Sequence, residues 1–189
     1  PTEAEWEYAC RAGTTSPFSF GDNITTDQVN FDGNNPYAGG KEGEYRKKTV
    51  NVKSLPSNDW GLYEMHGNVW EWCSDWFEEY DLNKTTNPTG SDTGEERVLR
   101  GGGWIGFGGN CRSAGRGAAP PAYRSQSFGF RLAQGHQAGQ QVKAGSRWAE
   151  PVPERGGAAE VRFTPPAAEQ GGPKRKKGWF SRIFGGKRT

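Results

Sequence analysis

The chain has 189 residues, of which 32% are apolar and 13% aromatic, with 29 glycines, 12 prolines and 8 tryptophans. So much glycine beside so few aliphatic residues excludes a helix bundle, the aromatic content excludes full disorder, and no run of about 18 apolar residues reads as a membrane-spanning helix. The net charge of +2 joins a mildly acidic body, Pro1 to Ala133 with 13 Lys/Arg against 18 Asp/Glu, to a basic remainder, Gln134 to Thr189 with 11 against 4; nucleic acid is not an expected partner, because the body would repel phosphates.

Pro1-Thr2-Glu3-Ala4-Glu5 carries a capping box, with Thr2 as N-cap and Glu5 three residues later. The helix it starts is predicted to run to about Arg11 and to stop at Gly13. A chain that opens on a helix cap with no methionine before it reads as a piece of a larger domain. The lack of a leader therefore says nothing about export, and the compartment stays open between cytoplasmic and membrane-peripheral. From Thr14 to about Asn58 turn residues dominate, with Asn34-Asn35-Pro36 and Gly39-Gly40 as turn signals and Thr49-Val50-Asn51-Val52 as a short strand. A loop region this long needs an internal organiser, a metal or buried polar contacts. Val69-Trp70-Glu71-Trp72-Cys73 reads as a strand with aromatic residues on one face, Arg97-Val98-Leu99-Arg100 as a second, and the segment Ser127 to Ala133 as a third. Residues 134–172 lack periodicity and read as a disordered linker. Residues 173–189 differ: a basic run, Lys174 to Lys177, precedes Trp179, Phe180, Ile183 and Phe184 at the spacing of one helical face. That tail suits an anionic membrane surface, a docking partner, or solvent as a plain basic tail.

Three cysteines, Cys10, Cys73 and Cys111, are too few and too odd for a disulfide scaffold, and with two histidines and no CxxC a zinc site is not expected. His66, beside Gly67-Asn68, reads as a hydrogen-bonded loop histidine, since no nucleophile is placed near it.

Six motifs in order, Pro1-Thr2-Glu3-Ala4-Glu5-Trp6-Glu7-Tyr8-Ala9, Trp60-Gly61-Leu62-Tyr63, Met65-His66-Gly67-Asn68-Val69-Trp70-Glu71-Trp72, Arg97-Val98-Leu99-Arg100-Gly101-Gly102, Cys111-Arg112-Ser113-Ala114 and Gly129-Phe130-Arg131, resemble the formylglycine-generating enzyme (sulfatase-modifying factor) family. The resemblance covers Pro1 to about Ala133, without the family's N-terminal part. It implies an α+β fold of the C-type-lectin-like kind with little regular secondary structure. It also implies an oxidase that converts a sulfatase cysteine to formylglycine with copper(I) held by two cysteines five residues apart. Here Cys111 matches the second cysteine, but Gly106 stands at the first, and one thiolate alone holds Cu(I) poorly. Copper is therefore not expected, and Cys111 reads as an inert, partly buried thiol or, under the oxidase reading, as the sole catalytic thiol. The family's cystine is also absent by this mapping, since Leu132 stands where the partner of Cys10 would be.

The resemblance further implies structural calcium, one site from the side chains of Glu64 and Glu71 with the carbonyls of Gly67 and Val69, a second near Asn30, Phe31 and Glu44; all-oxygen donors suit that cation. The alternative for Glu71 is a buried carboxylate paired with Arg112 or Arg131. Other members of this fold family are the variable proteins of diversity-generating retroelements, which hold diversified positions between fixed motifs. Arg97 to Ala133 resembles that arrangement. The candidate ligand-contacting positions are Trp104, Ile105, Phe107, Gly115, Gly117, Ala118, Tyr123, Ser125, Gln126 and Ser127, with Trp104 alternatively a core residue beneath the glycine turn. The expected function is a non-catalytic module that binds a protein or other macromolecule through residues 104–128. The alternative is a copper-dependent formylglycine-generating oxidase.

Overall fold

The computed structural model describes residues 1–83 and 86–134. The linker expected over 134–172, beyond Gln134 itself, and the tail over 173–189 lie outside the described residues.

Helix α1 spans Glu3–Arg11. Its capping box is formed: Glu5 N donates to Thr2 Oγ1 (3.2 Å) while Thr2 N donates to Glu5 Oε2 (2.8 Å), which satisfies two N–H groups that a helix start otherwise leaves unpaired. It ends as the sequence indicates, with Ala12 and Gly13 both at positive φ (46° and 89°). Four strands follow, β1 (Trp70–Trp76), β2 (Arg97–Arg100), β3 (Arg116–Ala119) and β4 (Phe128–Gly129), in the spatial order β3-β2-β1-β4. β1 pairs antiparallel with β2 and parallel with β4, and β2 pairs antiparallel with β3.

Alternation gives the sheet two unlike faces. Trp70, Trp72 and Trp76 share one face of β1 with Arg97 and Leu99 of β2; Trp72 meets Phe128 edge-on at 5.6 Å, and the Arg97 guanidinium lies 3.5 Å from the Trp76 ring centroid. The other face reads as polar in sequence, Glu71, Cys73, Asp75 and Arg100, yet all four of these residues are buried. Helix α1 covers it. Trp6, Cys10, Met65, Cys73 and Val98 form the apolar part of that interface. Glu3 N donates to Asp75 Oδ2 (2.8 Å) and Trp6 Nε1 to Glu71 Oε2 (2.7 Å). Arg100, fully buried, bonds the Glu7 carboxylate and donates to the carbonyls of Ser113 and Gly115 (2.7 Å each), while Arg116 grips Glu3 through two bonds of 2.6 and 2.7 Å. Buried charge is tolerable only when paired and hydrogen-bonded on this scale.

A second core, Phe18, Ile24, Val29, Phe31 and Cys111, supports the loop region. The strand predicted over 49–52 is not formed. Asn68, at φ 62°, takes its place: Val50 N donates to Asn68 Oδ1 (2.9 Å) and Asn68 Nδ2 to Val50 O (3.4 Å), so a side chain supplies both bonds that a partner strand would. The third predicted strand, 127–133, contracts to Phe128–Gly129; beyond it Phe130 and Leu132 are exposed, and no strand among the described residues pairs with them.

Candidate functional site

The loop after β2 carries the position where the sequence predicts chemistry. Gly101 and Gly102 turn it at positive φ, and a Cβ on Gly102 would lie 2.8 Å from the Cys111 sulfur. The loop is then stitched down by its backbone. Trp104 N donates to Asn68 O, Gly106 N to Gly103 O, Asp32 N to Gly106 O and Gly108 N to Asn35 O, all within 2.8–2.9 Å. A short 3-10 turn, Gly108–Cys111, brings Cys111 back into the second core.

Cys111 is fully buried, and burial pushes its thiol well above the usual range. With no base or cation beside it to draw off the proton, the thiol is a poor nucleophile at neutral pH. Gly106 offers no sulfur, and a side chain there would press on Asn110, whose Nδ2 would lie 3.2 Å from the added Cβ. The residues present therefore do not fit a two-thiolate copper site. Cys10 and Cys73 are no substitutes: both are buried and free, with thiols pushed up to about 12 by desolvation. Leu132, which stands at the family's cystine position, is exposed while Cys10 is buried.

His66 is held as a structural neutral imidazole. Its Nδ1 donates to the Cys111 carbonyl (2.7 Å), which leaves Nε2 to accept from Ser19 N (3.1 Å). The Cys10 sulfur lies 3.7 Å from both ring nitrogens, facing the ring rather than bonding either in plane. Desolvation lowers the imidazole to about 4, so at neutral pH it carries no charge.

Of the two readings of Glu71, the geometry has the arginine pair. Both its oxygens are taken, Oε2 by Arg131 Nε (2.5 Å) and Trp6 Nε1, Oε1 by Arg131 Nη2 (2.8 Å), and the same guanidinium reaches the carbonyls of Tyr63 (3.0 Å) and Glu64 (3.3 Å). Arg131 and Trp6 thus hold Glu71 in place with three bonds, and the nearby Glu64 carries an Oε1 that is buried without a partner. Gly67 is tied by its N–H to Gly101 O (2.7 Å), and Val69 packs beneath Gly129. The second set also contains an orphaned oxygen. Asn30 is fully buried with its Oδ1 unpartnered, while its amide nitrogen donates to Lys48 O (3.0 Å) and Asn68 Oδ1 (3.1 Å). A buried amide oxygen with no donor is what a hard cation satisfies. Phe31 follows it in the core, and the exposed Glu44, held loosely by Arg46 at 3.3 Å, is a carboxylate within the same loop system.

The ten candidate ligand positions divide by exposure. Phe107 and Gln126 are exposed and Tyr123 is near the boundary; Ile105, Ala118 and Ser125 are half-buried. Trp104 is a core residue, stacked near Tyr45 (6.2 Å, 29°). Gly115, Gly117 and Ser127 are buried: a Cβ on Gly115 would meet Asn110 O at 2.5 Å, Gly117 pairs with Leu99 inside the sheet, and Ser127 O accepts from Trp70 N (2.8 Å). Ile105 and Phe107 belong to the stitched loop beside Asp32, Asn35 and Tyr37, whereas Tyr123 and Ser125 belong to the turn leading to Phe128. The sequence reading missed Asp32, Asn35, Tyr37 and Asn110 as neighbours of the Gly106 loop. The Asn34-Asn35-Pro36 turn signal was its one trace of them.

A clasped helix on a small four-stranded sheet, with long loops ordered by buried side chains, is the C-type-lectin-like architecture of the formylglycine-generating-enzyme type. The sulfatase-modifying factor enzyme 1-like domain matches residues 1–136, and the chain belongs to that family. It is 41% identical to the formylglycine-generating enzyme of Streptomyces coelicolor over 143 residues, covering 70% of this chain and 45% of that one. It is 38% identical over 140 residues to the serine/threonine-protein kinase pkn1 of Chlamydia caviae, covering 71% and 21%. Among solved structures it is similar to Treponema denticola variable protein 1, with a TM-score of 0.59 at 33% identity over 69% of this chain and 45% of that one. It is also similar to PvdO from Pseudomonas aeruginosa, with 0.55 at 30% over 68% and 49%. The chain spans less than half the length of each.

Proposed function

We propose that this domain is a non-catalytic recognition module, built on the formylglycine-generating-enzyme frame, that binds a protein or other macromolecule through the exposed positions of the 104–128 region. One observation carries the reading: at the family's reactive position Cys111 is sealed against Gly102 with its thiol held protonated, and its partner position is Gly106, already overhung by Asn110. The likeness to Treponema denticola variable protein 1 supports the variable-protein side of this reading. So does the surface: Phe107 stands exposed on a loop whose backbone is pinned by four hydrogen bonds, which is how a rigid contact residue is presented at low entropic cost. Within this reading the contact set narrows to Ile105, Phe107, Ala118, Tyr123, Ser125 and Gln126. Diversification by a retroelement is part of the same proposal, and a reverse-transcriptase gene beside a near-copy of the segment coding Arg97 to Ala133 would support it.

The second reading, a copper-dependent oxidase acting on sulfatase cysteines, is favoured by the 41% identity to the Streptomyces enzyme. Incubation with a sulfatase-motif peptide, copper and oxygen separates the two. The recognition reading expects no formylglycine; product formation that Cys111→Ser abolishes overturns it. Calcium is proposed as a structural ion only, with Asn30, Phe31 and Glu44 as the residues that would hold it.

A further inference from the structure

Beyond Trp76 two segments, 77–82 and 92–96, form an arm joined at its base: Phe77 N donates to Glu96 O (2.8 Å), and Trp76 Nε1 to Asp92 O (3.1 Å). This arm has two properties that the family's reactive loop does not explain. Phe77, Tyr80 and Leu82 are 41%, 52% and 69% exposed. Around them Glu78, Glu79, Asp81, Asp92, Glu95 and Glu96 are all exposed, and none forms an ion pair among the described residues. In the sequence between Phe77 and Glu96 the sole cation is Lys84. The arm is not loose, since the Arg116 guanidinium lies between the rings of Phe77 (4.6 Å) and Tyr80 (4.1 Å) while its nitrogens hold Glu3 and the Glu78 carbonyl. An apolar surface fixed in place, whose arm carries six exposed carboxylates against the one Arg116 guanidinium, selects a partner that is basic and aromatic.

The chain carries such a partner. Lys174 to Thr189 holds seven Lys/Arg, no acid, and Trp179, Phe180, Ile183 and Phe184. We propose that this C-terminal segment docks on the acidic aromatic arm of its own chain, lysines and arginines against Glu78, Glu79, Glu95 and Glu96 and its aromatic residues against Phe77, Tyr80 and Leu82. The 40 residues of 134–173 suffice to reach it. As a coil, a chain of that length spans about 35 Å, while a body of 134 residues has a radius of gyration of about 14 Å. Tethering also raises the local concentration of the segment to about the millimolar range, so weak individual contacts are enough. A contact to an anionic membrane uses the same tail chemistry but leaves the arm's exposed apolar side chains and carboxylates without a partner.

The test uses the full chain at low salt, with a carbodiimide that joins lysines to carboxylates in contact, on a mixture of isotopically light and heavy protein. The expected result is light–light and heavy–heavy links from Lys174, Lys176, Lys177 or Lys187 to Glu78, Glu79, Glu95 or Glu96. Replacing Trp179, Phe180, Ile183 and Phe184 with Ser, which leaves every linked group in place, is expected to reduce them about tenfold. The proposal is overturned by links spread evenly over other exposed acids such as Glu42 and Asp59, by links unchanged in the Ser variant, or by links only between chains. It is equally overturned if the full chain co-sediments with phosphatidylserine vesicles and shows no link to the arm.

Discussion

The sulfur of Cys111 rests on Gly102: a methyl group added at Gly102 would approach it to 2.8 Å. The contact explains why position 102 carries glycine, which also stands at φ 74°, and why the thiol points into the core. Gly102→Ala therefore meets backbone strain and overlap together and is expected to cost about 2 kcal/mol or more. In the native protein none of Cys10, Cys73 or Cys111 is expected to react with a thiol reagent, and all three are expected to react in denaturant. Titration of accessible thiols checks both statements, and fast labelling of native Cys111 would contradict the sealed site.

His66 predicts an acid limit to stability. Its ordinary value is 6.5 and burial lowers it to about 4 in the folded protein, so below 6.5 the unfolded chain takes up a proton that the folded one refuses. Stability is full above 6.5, falls as the pH drops toward 4, and loses on the order of 3 kcal/mol across that window. Denaturation by urea at a series of pH values measures it, and a His66→Gln variant, less stable at pH 7, is expected to show a shallower slope between 6.5 and 4.

Arg131 reaches Glu71 through two bonds and caps two loop carbonyls besides. Arg131→Ala leaves a buried carboxylate facing only Trp6 and is expected to cost about 3 kcal/mol. Arg131→Lys is expected to recover only part of it, since an ammonium cannot copy the forked geometry. Unfolding midpoints of the two variants decide the order.

Calcium is expected to raise the melting temperature through Asn30. At a hundredfold excess over its dissociation constant, a single site adds about 2.7 kcal/mol. The shift is expected to vanish in Asn30→Ala and to survive in Glu71→Gln, whose acid is already committed to Arg131. Melting with calcium and with chelator reads out both, and an unchanged melt in the wild type would remove the ion from the account.

A surface meant for varied contacts must tolerate exchange. Phe107→Ser and Gln126→Ala are expected to change stability by less than about 0.5 kcal/mol. Gly115→Val is expected to prevent folding, because even its Cβ would overlap Asn110 O at 2.5 Å. Soluble yield and thermal melts of the three variants test this narrowing of the contact set.

Local signals were legible where one residue decides the outcome. Thr2 and Glu5 announce the helix start, and Ala12-Gly13 its end, because caps act within four residues. The strand at Arg97–Arg100 was legible from its own residues. Its neighbour at Arg116–Ala119 was not, since Arg-Gly-Ala-Ala has little intrinsic preference for extension and is held by β2. Long-range choices were beyond reach for the same reason. Nothing near Glu71 distinguishes a calcium ligand from the acceptor of Arg131, sixty residues away. Val50 looked like a strand because its pairing partner is a side chain, Asn68. The missing sulfur at Gly106 was readable from the motif spacing, but Asn110 lying beside it was not.

The ion pairs beneath α1 have one more consequence. Oily surfaces slide and rotate against each other at little cost, whereas Glu3 and Glu7 find Arg116 and Arg100 at a single azimuth of the helix. That keying fixes the direction in which the chain leaves Arg11, and every loop hung between there and the first strand inherits its bearing from it.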